Sequence, residues 1–250
     1  MKKKDQKNIW NQFPALKAIP KDKFPAHLLI IPDGNGRWAK KLGKNPLEGH
    51  KKGAEVIKKV FNDLYKLPIK YVTVWGFSSD NWKRDQKEVT GLMRIFQQYL
   101  KNELRQLLKN DKKFIHLGRK DRLSQGLIKL IDDSEKETRN GKDGFFCLAL
   151  DFGGEDQELR MMEKARRLPQ NVSLTSSVLR SLRDGNGEIP PADLVIRTSG
   201  EQRLSGLGWL GDYAEFYVIK KLLPDADTQD FIQGILEYSK RERRFGGRKK

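Results

Sequence analysis

Sulfur and long apolar stretches are what the sequence has least of. The single cysteine, Cys147, makes no internal disulfide, and its setting in Phe145-Phe146-Cys147-Leu148-Ala149-Leu150 reads as a small buried hydrophobe in a reducing compartment. No apolar run approaches the roughly 20 residues that cross a bilayer. The basic start Met1-Lys2-Lys3-Lys4 is followed by no apolar stretch of signal-peptide length. The expectation is a cytoplasmic protein, with peripheral contact to the inner face of an anionic membrane left open. Acidic residues are also short, 33 against 50 basic ones, for a net charge of +17. Such an excess implies an anionic partner: nucleic acid, anionic lipid or a phosphorylated small molecule. No recognised nucleic-acid motif occurs and the cations are spread along the chain, so nucleic acid is the poorest of the three.

What is present suffices for a core. The 250 residues are 37% hydrophobic, which excludes wholesale disorder and suits one α/β domain with some extra length. Residues 1–24, with Trp10, Pro14 and Pro20, read as a basic extension of weak structure. Residues 25–247 form the domain, and 248–250 a basic tail. Short apolar runs bounded by turn residues predict strands at His27–Pro32, Tyr71–Phe77, Phe114–Leu117, Phe145–Leu150, Leu194–Ile196 and Phe216–Ile219. Between them, apolar residues recur at helical spacing. The clearest case is 88–108, where Val89, Leu92, Met93, Phe96, Tyr99, Leu100, Leu104 and Leu107 share a face. Residues 51–66, 121–137, 156–167 and 227–242 also read as helices. Alternating strands and helices predict a mostly parallel sheet with helices on its faces.

Three segments carry chemistry. In Ile31-Pro32-Asp33-Gly34-Asn35-Gly36-Arg37-Trp38-Ala39 a carboxylate ends a strand, two glycines follow, and an arginine stands at a helix start. Glycines admit close backbone approach, a helix start favours anions, and arginine pairs phosphate in a bidentate way. The bare pattern also matches a dinucleotide fingerprint. However, Glu55 lies in a helical stretch and not at the end of a second strand, and Asp33 would repel a pyrophosphate unless a divalent cation lay between them. A carboxylate beside a phosphate loop suggests Mg²⁺. A capped turn is the bland alternative. Next, Gly76-Phe77-Ser78-Ser79-Asp80-Asn81-Trp82-Lys83-Arg84 crowds polar groups at a strand's C-terminal end, where open α/β sheets bind ligands. In the third segment, Arg197-Thr198-Ser199-Gly200-Glu201-Gln202-Arg203-Leu204-Ser205 offers two arginines around a turn, a pair able to grip one diphosphate. Glu215 follows among apolar residues, a setting in which a carboxylate is usually paired with arginine or metal. Arg241-Glu242-Arg243-Arg244-Phe245-Gly246-Gly247 reads, on its own, as a solvated helix end.

Taken in this order, with Gly49-His50 between the first two, the motifs resemble the cis-prenyltransferases, the undecaprenyl diphosphate synthase family, from about Ala26 to Gly247. The resemblance implies a homodimer and a six-stranded, mostly parallel sheet flanked by helices, with an apolar tunnel for the growing chain. It implies condensation of isopentenyl diphosphate with an allylic diphosphate such as farnesyl diphosphate to give a Z-polyprenyl diphosphate, with undecaprenyl diphosphate as the candidate product. Short or head-to-middle products are the variant within the fold. Asp33 and Asn81 would be catalytic, Asp33 and Glu215 would hold Mg²⁺, and Gly34, Asn35, Gly36, Arg37, Trp38 and His50 would bind the allylic diphosphate. Ser78, Trp82 and Arg84 would lie over the reacting carbons. Arg197, Arg203 and Ser205 would hold isopentenyl diphosphate, and Arg244 and Gly246 would reach into the partner subunit's site. The chain departs from the pattern at Pro32, Pro46 and Asp85, at Asp151 and Glu155 (where the family has Asn and Arg), and by one residue fewer between Ser205 and Trp209. Bulky Trp75, Phe145 and Phe146 are candidates to narrow the tunnel, with ordinary core as the bland alternative.

Overall fold

The computed structural model describes residues 9–247. Six parallel strands form one sheet: β1 His27–Ile31, β2 Tyr71–Ser78, β3 Lys113–Leu117, β4 Phe145–Phe152, β5 Leu194–Arg197 and β6 Glu215–Val218, in the order β3-β4-β2-β1-β5-β6. Seven helices follow β1 among the described residues: α1 Asn35–Lys41, α2 Pro46–Leu64, α3 Gln86–Lys109, α4 Gln125–Thr138, α5 Gly154–Ala165, α6 Ser176–Ser181 and α7 Thr228–Ser239. All five residues of β1 are buried, as a central strand covered on both faces must be. From β1 the chain winds toward β2, while β5 returns to the other side of β1. That divergence opens a crevice at the strands' C-terminal ends.

Side chains alternate between two cores. Leu28, Ile30, Val72, Val74, Phe146 and Leu148 face one core with residues of α2, α3, α4 and α7; Leu29, Ile31, Trp75, Cys147 and Ala149 face the other with Ile189, Leu207 and Leu210. The alternation slips at Gly76, where the β2–β4 register shifts and returns Phe77 to the first core. Of the three bulky strand residues, Trp75 reaches the cavity, while Phe145 and Phe146 pack in or against the cores. Trp75 borders the crevice, but its indole joins the opposite core and donates to the Phe152 carbonyl at 3.2 Å. Phe145 stacks on Tyr71 at 4.7 Å, also on that face. Phe146 is ordinary core, edge-on to Phe61 at 5.0 Å.

The weakly structured extension is also corrected over residues 9–24. Ile9–Gln12 are helical, Pro14–Ala18 form a short 3-10 turn, and Ile9, Leu16 and Phe24 are buried in the main core. Their apolar positions were too few to show a period. Residues 1–8 and the basic tail 248–250 lie outside the described residues.

Candidate active site

The crevice leads into a cavity of about 510 Å³ between the sheet and helices α2 and α3. Its inner wall is apolar, built from Ala54 and Ile57 of α2, Leu92, Ile95 and Phe96 of α3, and Val74 and Leu148 of the sheet. Its mouth is polar and holds most of the residues singled out in the sequence: Asp33, Gly34, Asn35, Gly36, Arg37, His50, Ser78, Asn81, Arg84, Arg197 and Ser205.

Asp33 is the centre of the mouth. Gly34 follows with φ 99, a left-handed value that suits glycine, and its N–H donates to Asp33 Oδ1 at 2.6 Å. Arg197, at the end of β5, donates to Asp33 Oδ2 at 2.8 Å, and Arg37, one turn along, to Oδ1 at 3.1 Å. Thr198 Oγ1 accepts from the Asp33 N–H at 2.8 Å and donates to its carbonyl at 2.7 Å, joining the ends of β1 and β5. Burial of the Asp33 carboxyl opposes its ionisation, but the Arg197 and Arg37 guanidiniums outweigh it and hold the group below the usual carboxylate range. Arg197 also reaches the Arg203 carbonyl and Ser205 Oγ, while its Nε is buried without a hydrogen-bond partner. Arg37 and Arg203 meet on the two oxygens of Glu201. Three guanidiniums are thus gathered on two carboxylates, which leaves one net positive charge at the mouth.

On the opposite lip, Asn81 Oδ1 accepts from the Ser78 N–H at 3.1 Å and closes a 3-10 turn. Arg84 donates to Glu88 Oε1 at 3.1 Å, and His50 Nε2 lies 3.8 Å from the same oxygen. Burial, with Arg84 adding to it, lowers the His50 pKa to about 4, so the imidazole is neutral at pH 7. Glu88 and Asp80 line the mouth but were not singled out in the sequence. The signal for Glu88 was its place four residues after Arg84, one turn away once a helix is assigned. Helix α2 reaches the mouth because it carries glycines where it crosses α1. A Cβ at Gly49 would lie 2.1 Å from the Asn35 carbonyl oxygen, and one at Gly53 the same distance from Asn35 Oδ1.

Other expected site residues are not at the mouth. Trp38 Nε1 donates to Asp225 at 2.7 Å, and Trp82 packs edge-on to Phe77 at 5.3 Å. Neither lines the cavity. Glu215 opens β6, level with Leu194, three residues before the position beside Arg197. At about 3.3 Å per residue this puts it roughly 10 Å toward the far end of the sheet. There it pairs with Arg241 at 2.7 Å, so it does not join Asp33 within one chain. Arg244 and Gly246 follow α7 at the surface, also away from the cavity. The spacing of a motif along the chain does not report which end of a strand it occupies. Among the described residues no group of three His, Cys, Asp or Glu is placed to hold a metal.

Four of the departures have local settings that suit them. Pro46 is at the first turn of α2, capped by Asn45, whose side chain accepts from the Leu47 N–H at 2.9 Å. Asp85 caps α3, accepting from Lys87 and Glu88 N–H groups. Glu155 stands in the first turn of α5, where the helix dipole favours an acid. Asp151 is fully buried and paired with Arg122.

Known proteins resemble this chain along most of its length. The prenyltransferase family model described as undecaprenyl diphosphate synthase matches residues 31–246. An isoprenyl transferase of Thermotoga maritima is 40% identical over 232 residues, covering 90% of this chain and 98% of the relative. One from Aquifex pyrophilus is 39% identical over 225 residues, covering 90% and 96%. The crystal structure of lavandulyl diphosphate synthase from Lavandula x intermedia, in complex with dimethylallyl diphosphate, superposes with a TM-score of 0.84 at 31% identity, covering 90% of this chain and 99% of that one.

Proposed function

The chain belongs to the undecaprenyl diphosphate synthase family of cis-prenyltransferases, and from that premise we propose that it elongates an allylic diphosphate such as farnesyl diphosphate with isopentenyl diphosphate to a Z-polyprenyl diphosphate. The observation that carries this reading is the meeting of Asp33 with Arg197 and Arg37 at the polar mouth of an apolar cavity. Such a cavity suits a substrate with a diphosphate head and a hydrocarbon tail.

In this reading the allylic diphosphate lies against Gly34–Arg37 and the isopentenyl diphosphate against Arg197, Arg203 and Ser205. The arginines exchange Asp33 and Glu201 for phosphate oxygens, which leaves the Asp33 carboxylate facing the substrates. One carboxylate beside two diphosphates fits Mg²⁺, which favours few protein carboxylates and several phosphate oxygens. When bound, the metal neutralises charge that develops on the departing diphosphate. The allylic C–O bond breaks, the alkene of isopentenyl diphosphate forms the new C–C bond at that carbon, and a proton leaves to restore a double bond. Arg37 and the N–H groups of the Gly34–Arg37 turn stabilise the charge on the departing allylic diphosphate, while Arg197 holds isopentenyl diphosphate in line. Ser78, Asn81 and Arg84 confine the reacting carbons from the other lip, and the apolar wall excludes water.

A homodimer belongs to the same proposal. Glu215, Arg244 and Gly246 are remote from Asp33 in their own chain and can complete a site only in a second copy. Exposed Leu159, Met162, Tyr213 and Phe245 supply apolar surface for it. Sedimentation at micromolar concentration should give a dimer. A second product class, short or head-to-middle, is favoured by the likeness to lavandulyl diphosphate synthase. The test is incubation with labelled isopentenyl diphosphate, Mg²⁺ and a series of allylic primers, with chromatography of the lipids. Ladders of longer Z-prenyl products support elongation, a single short product supports the second class, and no product from any primer contradicts both.

A further inference from the structure

Trp82 belongs to the 3-10 turn Ser79–Lys83, between two residues of the cavity lip, Asn81 and Arg84, yet its ring points elsewhere. It meets Phe77 edge-on, and the Arg122 guanidinium carbon lies 5.4 Å from its ring centroid. Arg122 comes from the loop before α4 and is held from behind. Its Nε donates to Asp151 Oδ2 at 2.9 Å, and a second guanidinium N–H takes Oδ1. Asp151 is 0% exposed, with φ 58 near the end of β4. A buried carboxylate with both oxygens on one guanidinium fixes that guanidinium in place, because any shift leaves a charge unpaired in the interior. Two residues on, just past β4, the chain touches the same turn again: a Cβ at Gly153 would lie 2.1 Å from Ser79 Oγ. The end of β4 thus supports the turn at two points, one directly and one through Arg122 and Trp82.

We propose that Arg122, fixed by Asp151, is a positioning residue that clamps Trp82 and so sets Ser78, Asn81 and Arg84 over the cavity mouth. The consequence for turnover rests on the catalytic reading above; the clamp itself does not. Asp151 and Arg122 act together here, so the Asp that stands in place of the family's Asn is matched by a cation and is not a defect.

The test is the double variant Arg122→Gln/Asp151→Asn. It removes both charges at once, leaves no orphaned carboxylate, and keeps a residue that tolerates left-handed backbone. It should lower kcat by roughly tenfold or more, with KM for both diphosphates within about twofold, because a lip displaced by about 1 Å misplaces reacting carbons without unbinding phosphates. The same pair of changes in a Trp82→Leu background should have little further effect. Arg122→Lys keeps the charge but loses the planar fork and stack, so it should behave like the double variant. Acrylamide quenching of the Trp82 emission, taken as the difference from Trp82→Leu, should rise in the double variant. Losses that multiply independently of Trp82, a parental kcat in Arg122→Lys, or unchanged quenching would each overturn the clamp. If the parent itself makes no product from any primer, the functional reading fails separately, and quenching still decides the clamp.

Discussion

At the residue scale, the site is a set of charges that hold one another in place. Arg197 is nearly buried and spends its donors on Asp33, the Arg203 carbonyl and Ser205. Arg197→Ala should therefore raise KM for isopentenyl diphosphate by roughly tenfold to a hundredfold, the range of one or two charge-assisted hydrogen bonds, in steady-state assays. His50 is held neutral by burial and by Arg84. Its ring resonances, followed by NMR, should titrate near pH 4; a midpoint near 6.5 would show that the mouth is more open to water than described. Most of these side chains were legible in the sequence because Asp33 follows an apolar strand, Arg197 ends one and Arg203 stands in the turn beyond it. Thr198 and Glu88 were not. Thr198 matters only because β5 lies beside β1, and Glu88 only because α3 turns its first residues toward His50.

At the element scale, strand positions were plain because short apolar runs stop at turn residues. Which face each strand residue takes was less so, since the shift at Gly76 reverses the alternation in the middle of β2. The crossing of α2 over α1 was hidden too. It depends on the absence of a methyl group at Gly49 and Gly53, which no period reveals. Gly49→Ala would place a methyl against the Asn35 carbonyl and should cost about 1–3 kcal/mol in denaturant titrations, as overpacked contacts do. It should also impair turnover, since Asn35 opens the helix that carries Arg37. Asp85→Ala removes the cap of α3 and should cost about 1 kcal/mol, with little change in KM.

At the scale of the whole molecule, the parallel sheet places Asp33 and Arg197 together and Glu215 apart. The order of motifs in the chain announced all three as one site, and only topology separates them. The N-terminal stretch 9–24 shows the same limit, because its buried side chains are matched to a surface built from distant segments. Titration adds a global expectation. Burial lowers the pKa of His27 and His50 to about 4 and lowers that of His116 as well. Between about pH 6.5 and 4 the unfolded chain therefore binds more protons than the folded one, and stability should fall as pH drops through that window. Buried Glu103, with its pKa raised by desolvation, works in the opposite sense but is one group against three. Thermal melts at fixed ionic strength across that window should show Tm falling on acidification. Turnover by Asp33→Ala tests the central role of that carboxylate most directly. Labelled isopentenyl diphosphate incorporation should fall by about a hundredfold to a thousandfold while the fold, read by circular dichroism, persists. Incorporation within a few-fold of the parent would contradict it.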